Sequence, residues 1–371
     1  MRSLYIHIPF CNRICTYCDF NKFLIENQPV DAYIDALIRE LDMIDEKEIY
    51  TVFIGGGTPT ALSLVQLERL LKFVTEKFII NSEFTVEANP DELTTEKIEI
   101  MKRYGVNRLS LGVQTFNNRL LQSLGRTHVE SDIKRAVDDA NRLGIESISI
   151  DLMYHLPTQT LEECQYDLDQ AIQLNINHIS SYSLILEPKT QFYNQYKKGL
   201  LQMPDETLAQ EMYEYTMDFL SMHGFHQYEI SNYAKGNHES LHNKVYWQNK
   251  EYYGAGAGSH GYVKGNRYYN VVPVPHYIKA MAEGNAVKEV IPVDKDASME
   301  EFMFLGLRLN EGINIVDFEA RYGVSFNEVF GTVSQTLLNE GQIIFENNQM
   351  KLSEKGRMRG NDVFEKFLLT V

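Results

Sequence analysis

The sequence predicts an α/β protein: an open, partial (β/α)6 TIM-like barrel followed by a smaller, winged-helix-like domain at the C-terminus. Two observations predict the barrel. Six short apolar strands alternate with amphipathic helices, and polar residues recur at one parity of those strands. Because each crossover helix must cover the outer face of a parallel sheet, this alternation suits a curled sheet. A flat, doubly wound sheet is the alternative.

The six strands are separated by helical stretches such as Asp31 to Ile44 and Leu161 to Leu174. We predict the strands at Leu4 to Pro9, Thr51 to Gly55, Phe84 to Ala88, Arg108 to Gln114, Ser147 to Tyr154 and His178 to Leu184. Successive side chains on a strand point to opposite faces of the sheet. Apolar residues therefore occupy one face of each strand, and the polar face carries Tyr5, Glu87, Gln114 and Asp151.

An inner face with such polar groups predicts a ligand cavity near the carboxyl ends of the strands, because a closed barrel normally fills its interior with branched apolar side chains. The alternative is that these groups are only hydrogen-bonded polar residues of the core.

The C-terminal part predicts three helices and a β pair, which together suggest a winged-helix-like module. The helices are predicted at Met299 to Leu309, Ile315 to Tyr322 and Phe326 to Asn339, and the strands at Gln342 to Phe345 and Gln349 to Leu352. We expect three units: 1–220, 221–295 and 296–371. The last unit has seven Lys or Arg against twelve Asp or Glu, a net of −5, which disfavours DNA binding. We expect it to cap the barrel or to contact a protein partner.

Composition limits the partners and the location. The 371 residues carry 35 Lys or Arg and 51 Asp or Glu, a net charge of −16, so a general affinity for nucleic acid is not expected. We expect no transmembrane segment, because no apolar run is long enough to span a membrane, and no signal peptide. Four cysteines do not make a secreted disulfide framework, so a cytoplasmic location is predicted.

Three of those cysteines, Cys11, Cys15 and Cys18, follow the first strand in the stretch CNRICTYCDF. Thiols spaced this closely can hold one metal centre. A structural zinc site needs four closed ligands, whereas an iron–sulfur cubane held by three cysteines leaves one iron open to a small molecule. A zinc site completed by His7 or Asp19, or thiols without metal, are the alternatives. Cys164 is interpreted as an ordinary core residue.

The second strand ends in Gly55-Gly56-Gly57-Thr58-Pro59, where backbone can approach a ligand closely. Together with the cysteine triplet this element resembles the radical S-adenosylmethionine superfamily. The resemblance implies that Cys11, Cys15 and Cys18 bind a [4Fe-4S] cluster with S-adenosylmethionine at its open iron, and that the glycine turn contacts the methionyl amino group.

The motifs YIHIPFCNRICTYCDF, GGGTP, TVEANP, LSLGVQTFNNRLLQSLGRTH and SIDLMYHLP, in this order, resemble the oxygen-independent coproporphyrinogen III oxidase family over the first ~180 residues. The resemblance implies S-adenosylmethionine contacts at Tyr5, Gly56, Gly57, Thr58, Glu87, Gln114, Arg126 and Asp151. Glu87 can accept hydrogen bonds from both ribose hydroxyls, and Arg126 can donate to the cofactor carboxylate.

Two features separate this chain from the oxidase branch of that family. The branch has a further cysteine two residues after the third, where Phe20 stands here, and an N-terminal extension, whereas only Met1 to Ser3 precede our first strand. Conversely, His242-Asn243-Lys244-Val245-Tyr246-Trp247 matches the HNxxYW motif of the haem-chaperone branch. This resemblance implies haem as a ligand.

We expect His242 to be an exposed haem ligand beside stacking aromatics, because an imidazole nitrogen binds iron and flat side chains receive the macrocycle. On a helix, His242 and Tyr246 share one face. The alternatives are a hydrogen-bonded core histidine with Trp247 packing the domain, or haem ligation by His238, His260 or His276.

Two functions therefore follow. The first is a haem chaperone that carries the cluster and S-adenosylmethionine and passes haem to an acceptor protein. The second is an oxidase that needs an electron donor to cleave S-adenosylmethionine and decarboxylates propionates of coproporphyrinogen III. The sequence favours the first and leaves open whether the protein is an enzyme.

Overall fold

The structure is a computed structural model that describes residues 1–369. Its first 222 residues alternate strands and helices. In chain order these are β1 (Arg2–Ile8), β2 (Phe10–Cys11), β3 (Phe23–Leu24), α1 (Val30–Asp42), β4 (Glu48–Gly56), α2 (Leu64–Lys77), β5 (Ile79–Ala88), α3 (Thr95–Arg103), β6 (Arg108–Gln114), α4 (Asn118–Ser123), α5 (Glu130–Arg142), β7 (Ser147–Tyr154), α6 (Leu161–Ile172), β8 (His178–Ser183), α7 (Gln191–Lys197) and α8 (Glu206–Met222).

Shorter strands and helices follow. They are β9 (His226–Glu229), β10 (Asn232–Ala234), α9 (Leu241–Trp247), β11 (Tyr252–Ala255), β12 (His260–Val263), β13 (Asn266–Asn270), α10 (Val274–Ala282) and β14 (Val287–Pro292). The C-terminal part contains α11 (Lys295–Gly306), β15 (Ile313–Asn314), α12 (Ile315–Tyr322), α13 (Phe326–Asn339), β16 (Ile343–Glu346), β17 (Gln349–Leu352), α14 (Glu354–Met358) and α15 (Gly360–Glu365).

The main sheet confirms the predicted open barrel. Six parallel strands lie in chain order, β1-β4-β5-β6-β7-β8, within a twelve-stranded sheet. A doubly wound sheet would reverse the strand order at its centre, so that alternative is wrong. In the described part of the chain the terminal strands β14 and β9 do not pair with each other, which leaves the barrel open.

The strands after residue 222 extend this sheet at both ends, and the sequence patterns did not predict them. β11 pairs in parallel with β1, and β12, β13 and β14 follow as antiparallel strands. At the other end β10 pairs antiparallel with β8, and β9 with β10. The chain between the barrel helices and the C-terminal part therefore completes the sheet. The division at residues 220 and 295 stays a prediction.

The face alternation predicted for the strands is confirmed by burial. Leu4, Ile6 and Ile8 of β1 are fully buried, and the corresponding apolar residues of the other parallel strands join the same core. The opposite parity carries polar groups such as Thr51, Glu83 and Arg108, which are also buried. The polar groups therefore occupy the inner face of the curled sheet.

The C-terminal part has a hydrophobic core of its own, in which Phe318, Phe326 and Phe330 pack edge to face. Helices α12 and α13 begin and end at the predicted residues, whereas α11 begins four residues before its predicted start at Met299. β15 adds a third strand beside β17 that the sequence did not predict. Within residues 1–369, no helix is both long and apolar enough to cross a membrane.

Candidate functional site at the mouth and the interior of the barrel

The cysteine triplet begins at Cys11, the last residue of β2, and continues on the loop between β2 and β3. These two short strands pair in parallel, Phe10 with Phe23 and Cys11 with Leu24, and so close the loop at its base. Cys11 is buried, whereas Cys15 and Cys18 are partly exposed. All three thiols therefore sit on β2 and this loop, beside the carboxyl end of β1.

Neighbouring side chains reach the thiols. The Thr58 hydroxyl donates to Cys11 Sγ at 3.4 Å, and Arg126 Nη1 lies 3.6 Å from Cys15 Sγ. Burial raises the pKa of the Cys11 thiol to about 11, although the Thr58 hydrogen bond acts in the opposite direction. A thiolate in this position needs a positive centre, which the iron atoms of a cluster provide.

The zinc alternative through His7 lacks a free ring nitrogen. No group of three or more His, Cys, Asp or Glu among residues 1–369 is arranged to hold a single ion. Both ring nitrogens of His7 are already engaged, Nδ1 with the Tyr5 hydroxyl at 2.9 Å and Nε2 with the Asn21 carbonyl at 2.8 Å. The zinc alternative through His7 therefore has no support. Three closely spaced thiols fit a cubane, in which three of the four iron atoms each take one thiolate.

The glycine turn after β4 is joined to the cysteine loop by backbone hydrogen bonds. Gly57 N–H donates to the Ile8 carbonyl at 2.8 Å and Thr58 N–H to the Phe10 carbonyl at 2.7 Å. A Cβ on Gly57 would lie 2.7 Å from the Phe10 carbonyl oxygen, and Gly56 adopts a φ of 108°. A side chain is excluded at Gly57 by the backbone of Ile8 and Phe10, and at Gly56 by the His7 ring and the positive φ.

Glu87 stands at the end of β5 and accepts a hydrogen bond from Gly56 N–H at 3.0 Å. Burial, together with the nearby Asp151 carboxylate, raises the pKa of Glu87 to about 7. The Asp151 carboxylate accepts from the Ser110 hydroxyl at 3.2 Å, and burial also raises its pKa. Two carboxyl groups therefore face the interior from β5 and β7.

Gln114, Arg126 and Asn89 converge on Gly112 in the strand between those carboxyl groups. A Cβ on Gly112 would lie 3.0 Å from Arg126 Nη2, 3.1 Å from Gln114 Nε2 and 3.6 Å from Asn89 Oδ1. Gln114 has a φ of 68°, in the left-handed region, which turns the chain at the strand end. Arg126 Nη2 donates to Asn89 Oδ1 at 2.7 Å and to the Gly112 carbonyl.

The structure thus brings the predicted S-adenosylmethionine-binding residues together. Arg126, however, already donates hydrogen bonds to Asn89 and Gly112. Asn89 was missed by sequence reasoning, although it directly follows β5 in the motif TVEANP; its amide donates to Thr58 at 3.2 Å and its oxygen accepts from Arg126. Asn89 therefore links the glycine turn to the strand that carries Gln114.

A cavity of about 290 Å³ lies inside the barrel beneath this wall. Its upper lining includes Tyr5, Gly56 and Glu87, and Phe20 of the cysteine loop lies at its edge. The remaining lining residues are Phe53, His242, Asn243 and Tyr246. Residues of the HNxxYW motif and of the predicted cofactor wall therefore share one cavity, which we name the inner cavity.

The expectation of an exposed His242 is wrong. The side chain is 0% exposed, Nδ1 lies 2.8 Å from the Thr51 hydroxyl, and Nε2 lies 2.9 Å from the Tyr246 hydroxyl. Burial lowers the pKa of the imidazole to about 3, so it is neutral. The geometry of a hydrogen-bonded core histidine, which sequence reasoning left as the alternative, is the one observed.

Hydrogen bonds to Glu83 hold helix α9 inside the barrel. The Glu83 carboxylate accepts from Leu241 N–H at 3.0 Å and from His242 N–H at 3.1 Å, at the N-terminus of α9. Negative charge is favourable at a helix N-terminus. Arg108 lies 3.9 Å from the same carboxylate. Neither Thr51 nor Glu83 was predicted as a functional residue.

Trp247 points away from the inner cavity, toward the C-terminal part. The Arg308 guanidinium lies 4.3 Å from the centre of its ring. His242 and Tyr246 do share one helix face, as predicted, with their rings 5.1 Å apart at 87°. Of the alternative ligands, His260 is exposed and stacks on Tyr269, His276 is exposed, and the His238 carbonyl accepts from Arg108.

An open parallel barrel with three loop cysteines beside its first strand, and a polar wall at the strand ends, is the architecture of a radical S-adenosylmethionine protein. The sequence model of the Radical SAM superfamily matches residues 5–171, and that of the HemN C-terminal domain matches residues 293–359. The cofactors that the superfamily implies are a [4Fe-4S] cluster and S-adenosylmethionine, and the residues described above fit both.

Curated relatives match nearly the whole chain. The heme chaperone HemW of Bacillus subtilis is 46% identical over 99% of both chains. That of Lactococcus lactis is 45% identical over 99% of this chain and 97% of its own, and that of Escherichia coli 34% identical over 99% and 98%. The chain belongs to the heme chaperone HemW family of radical SAM proteins.

Among solved structures, coproporphyrinogen III oxidase (HemN) from Escherichia coli, a radical SAM enzyme, has the same fold. The TM-score is 0.88 at 24% sequence identity, over 100% of this chain and 90% of that chain. The two-part architecture predicted from the sequence is thereby confirmed.

Proposed function

We propose that the protein is a haem chaperone that binds a [4Fe-4S] cluster, S-adenosylmethionine and haem, and transfers haem to an acceptor protein. The relatives from three bacteria that match nearly the whole chain are named heme chaperones. The observation that carries the proposal is the inner cavity, where His242 and Tyr246 of the haem-chaperone motif face Tyr5 and Glu87 of the cofactor wall.

Cys11, Cys15 and Cys18 are the proposed cluster ligands. When bound, the cluster supplies an open iron for S-adenosylmethionine and, once reduced by an electron donor, the electron that can cleave it. Thr58 and Arg126 contact two of the sulfur atoms, which favours the thiolate form through a hydrogen bond and a positive charge. The thiols must stay reduced, so a cytoplasmic location belongs to the proposal.

The proposed S-adenosylmethionine site consists of Tyr5, Gly56, Gly57, Thr58, Glu87, Gln114, Arg126 and Asp151. The Gly56-Gly57 backbone admits the methionyl group beside the cysteine loop, and Glu87 accepts from the ribose hydroxyls. Arg126 is held by Asn89 and Gly112, so in this proposal it positions the cysteine loop as well as donating to the cofactor.

His242 is the proposed haem ligand. Its neutral imidazole can bind iron without first losing a proton. Iron must, however, replace one of its two hydrogen-bond partners, Thr51 or Tyr246. Haem binding is therefore coupled to a local rearrangement of α9 in this proposal.

Haem and an acceptor protein are the proposed partners, with an electron donor only if S-adenosylmethionine is cleaved. Nucleic acid is not among them, because the net charge of −16 repels phosphates. The oxidase alternative shares the cofactor wall, and Phe20, in place of a further cysteine, argues against it.

Anaerobically reconstituted protein offered haem and coproporphyrinogen III in parallel tests the proposal. We expect haem binding without decarboxylation, and transfer of the bound haem to an apo-acceptor. His242→Ala and His242→Gln should abolish or strongly alter the bound-haem spectrum at unchanged iron and sulfide content, whereas His260→Ala, the exposed control, should not. An unchanged Soret band in both His242 variants would assign ligation to another group. Decarboxylation without haem binding would establish the oxidase.

A further inference from the structure

A second cavity, of about 320 Å³, lies on the other side of α9. We name it the outer cleft; its lining includes Tyr246, Trp247, Asn249, Lys250, Tyr252 and Arg267. Tyr246 also lines the inner cavity. One tyrosine ring therefore separates the outer cleft from His242.

The contacts of Tyr246 describe this partition. Its hydroxyl lies 2.9 Å from His242 Nε2, and its ring meets the imidazole at 87°. On its other side the Tyr252 ring meets it at 80°, with centres 4.7 Å apart. Rotation of Tyr246 would break these two edge-to-face contacts and the hydrogen bond to His242, and would thereby free Nε2 and join the two cavities.

The outer cleft combines flat aromatic walls with positive charge. Tyr246, Trp247 and Tyr252 contribute rings, and Arg267 lies 4.8 Å above the ring of Tyr262. Arg267 Nε donates to the Glu301 carboxylate at 2.8 Å, an ion pair that fixes the guanidinium at the cleft and offsets part of its charge. Lys250 is exposed beside it. Cations beside aromatic planes suit a flat ligand that carries carboxylates at one edge.

Asn249 gives an independent indication of a ligand. It is 5% exposed, and neither its amide nitrogen nor its oxygen has a hydrogen-bond partner. Buried polar atoms are normally paired. Its φ of 47° follows from the end of α9, where Lys250 N–H donates to the Val245 carbonyl at 3.0 Å. The indole nitrogen of Trp247 is likewise unpartnered.

We propose that the outer cleft is the entry site for haem, that Lys250 and Arg267 bind its propionates, and that Tyr246 is the gate that releases His242 Nε2 to the iron. This inference rests on the haem-binding function proposed above. Each cavity alone lies near the lower end of the volumes that hold drug-sized ligands, whereas the two joined are about twice as large. The macrocycle would then lie between the aromatic walls, with Asn249 and the indole N–H as further polar contacts.

Haem and haem dimethyl ester, whose propionates carry no charge, test the charge contacts in the cluster-loaded protein. Lys250→Gln should weaken haem affinity about 2–5-fold, as for an exposed ion pair. Arg267→Gln should weaken it about tenfold or more, because a hydrogen bond to a charged group is lost. Neither variant should change the affinity for the ester, and Lys279→Gln, a matched surface control, should change nothing.

If Lys250→Gln loses as much affinity for the ester as for haem, or loses none, the propionate assignment is wrong. Lys250 is exposed and has no buried contact to break, so misfolding would not explain such a result. If wild-type protein binds neither compound, it is the haem function itself that fails. The two failures are therefore distinguishable.

Tyr246→Phe tests the gate, because the phenyl ring keeps the wall but frees His242 Nε2. We expect the association rate of haem, followed by stopped-flow absorbance, to rise about 5–10-fold relative to wild type and to the surface control Tyr269→Phe. An unchanged or slower association rate would exclude Tyr246 as the gate.

Discussion

Two regions of the barrel differ in the hydrogen bonds that their functional groups make. The mouth carries the cysteine loop and Glu87, and the floor carries Thr51, Glu83 and His242. At the mouth, the three cysteines are free thiols, and the Glu87 carboxyl group lines the inner cavity, where a ligand can add contacts. On the floor, both nitrogens of His242 are bonded within the protein and Glu83 holds the start of its helix. Thr51 and Glu83 precede Gly55 and Glu87 by four residues, about 13 Å along their strands.

This difference indicates that the two sites bind their ligands in different ways. At the proposed cofactor site the backbone of the glycine turn and the Glu87 carboxylate are already placed, so binding there needs less rearrangement, although Arg126 must share its hydrogen bonds with Asn89 and Gly112. If His242 ligates haem, as proposed, the iron must break a hydrogen bond that is satisfied in the free protein, which lowers the haem affinity until the site opens. A chaperone must also release its cargo. An imidazole that regains its hydrogen bond within the protein when haem leaves favours that release.

Removal of the cluster ligands should have the largest effect on the mouth. We expect Cys11→Ala, Cys15→Ala and Cys18→Ala each to lose the oxygen-sensitive cluster, because three thiolates are the only cysteine ligands on the loop. Cys164→Ala, the buried control on α6, should retain it. Iron and sulfide analysis after anaerobic reconstitution measures this. Full cluster content in any of the three loop variants would contradict the assignment.

Loss of the Glu83 charge should destabilise the floor around α9 and leave the cysteine loop and the cofactor-binding residues of the mouth unchanged. Glu83→Gln removes the anion at the start of α9 and leaves buried Arg108 without its carboxylate partner, with only the Ser147 hydroxyl and the His238 carbonyl as acceptors. Breaking a buried ion pair on one side costs about 3–5 kcal/mol. Urea unfolding should show this loss, whereas Glu68→Gln, whose partner Arg103 is exposed, should lose at most about 1 kcal/mol. Similar losses in both variants would mean that the helix does not depend on Glu83.

Glu87→Gln should act on the mouth alone. If Glu87 accepts from the ribose of S-adenosylmethionine, loss of its charge should weaken binding by about 1.5–3 kcal/mol. Calorimetry on the cluster-loaded protein measures the affinity, with Glu76→Gln on the surface of α2 as control. Affinity equal to wild type would return Glu87 to the ordinary polar residues of the core.

The mouth was predictable because its residues lie on or next to strands whose order along the chain is also their order in the sheet. Face alternation placed Tyr5, Glu87 and Asp151 on the inner face, and the structure confirms that placement. Local spacing alone was sufficient for the cysteine loop and the glycine turn. The engagement of Arg126 by Asn89 was not predictable, because it depends on side-chain geometry at a strand end.

The floor was predicted wrongly because its contacts are distant in sequence. Thr51 and Glu83 precede His242 by 191 and 159 residues, and no local pattern connects them. Strands β9 to β13 contain only three to five residues each, too few for a clear alternation. Thr51 and Glu83 lie on the same inner strand face as Glu87. This shared face was the feature of the sequence from which a buried partner could have been predicted.

A pH dependence of stability is the remaining effect expected at the mouth. The pKa of Glu87 rises from its ordinary 4.5 to about 7 on folding, chiefly because burial disfavours the charged carboxylate. Below pH 4.5 the carboxyl group is protonated in both states and has no effect. As pH rises toward 7 the unfolded chain ionises first, so wild-type stability falls; above 7 the penalty is constant.

Glu87→Gln lacks this titration but keeps an oxygen that accepts from Gly56 N–H. In cluster-free protein without S-adenosylmethionine, the melting midpoint of the variant minus that of wild type should therefore be larger at pH 8 than at pH 5. Each kcal/mol of unfolding free energy moves the midpoint by about 2–4 °C in a large domain, so scanning calorimetry at the two pH values resolves the difference. An equal difference at both would show that Glu87 is not desolvated at the mouth. The same variant therefore tests the environment of this carboxylate by melting and its role in cofactor binding by calorimetry. If Glu87→Gln both gains stability at high pH and loses affinity for S-adenosylmethionine, the Glu87 carboxylate destabilises the folded protein and contributes to cofactor binding. This combination is expected of a buried charge that serves a ligand.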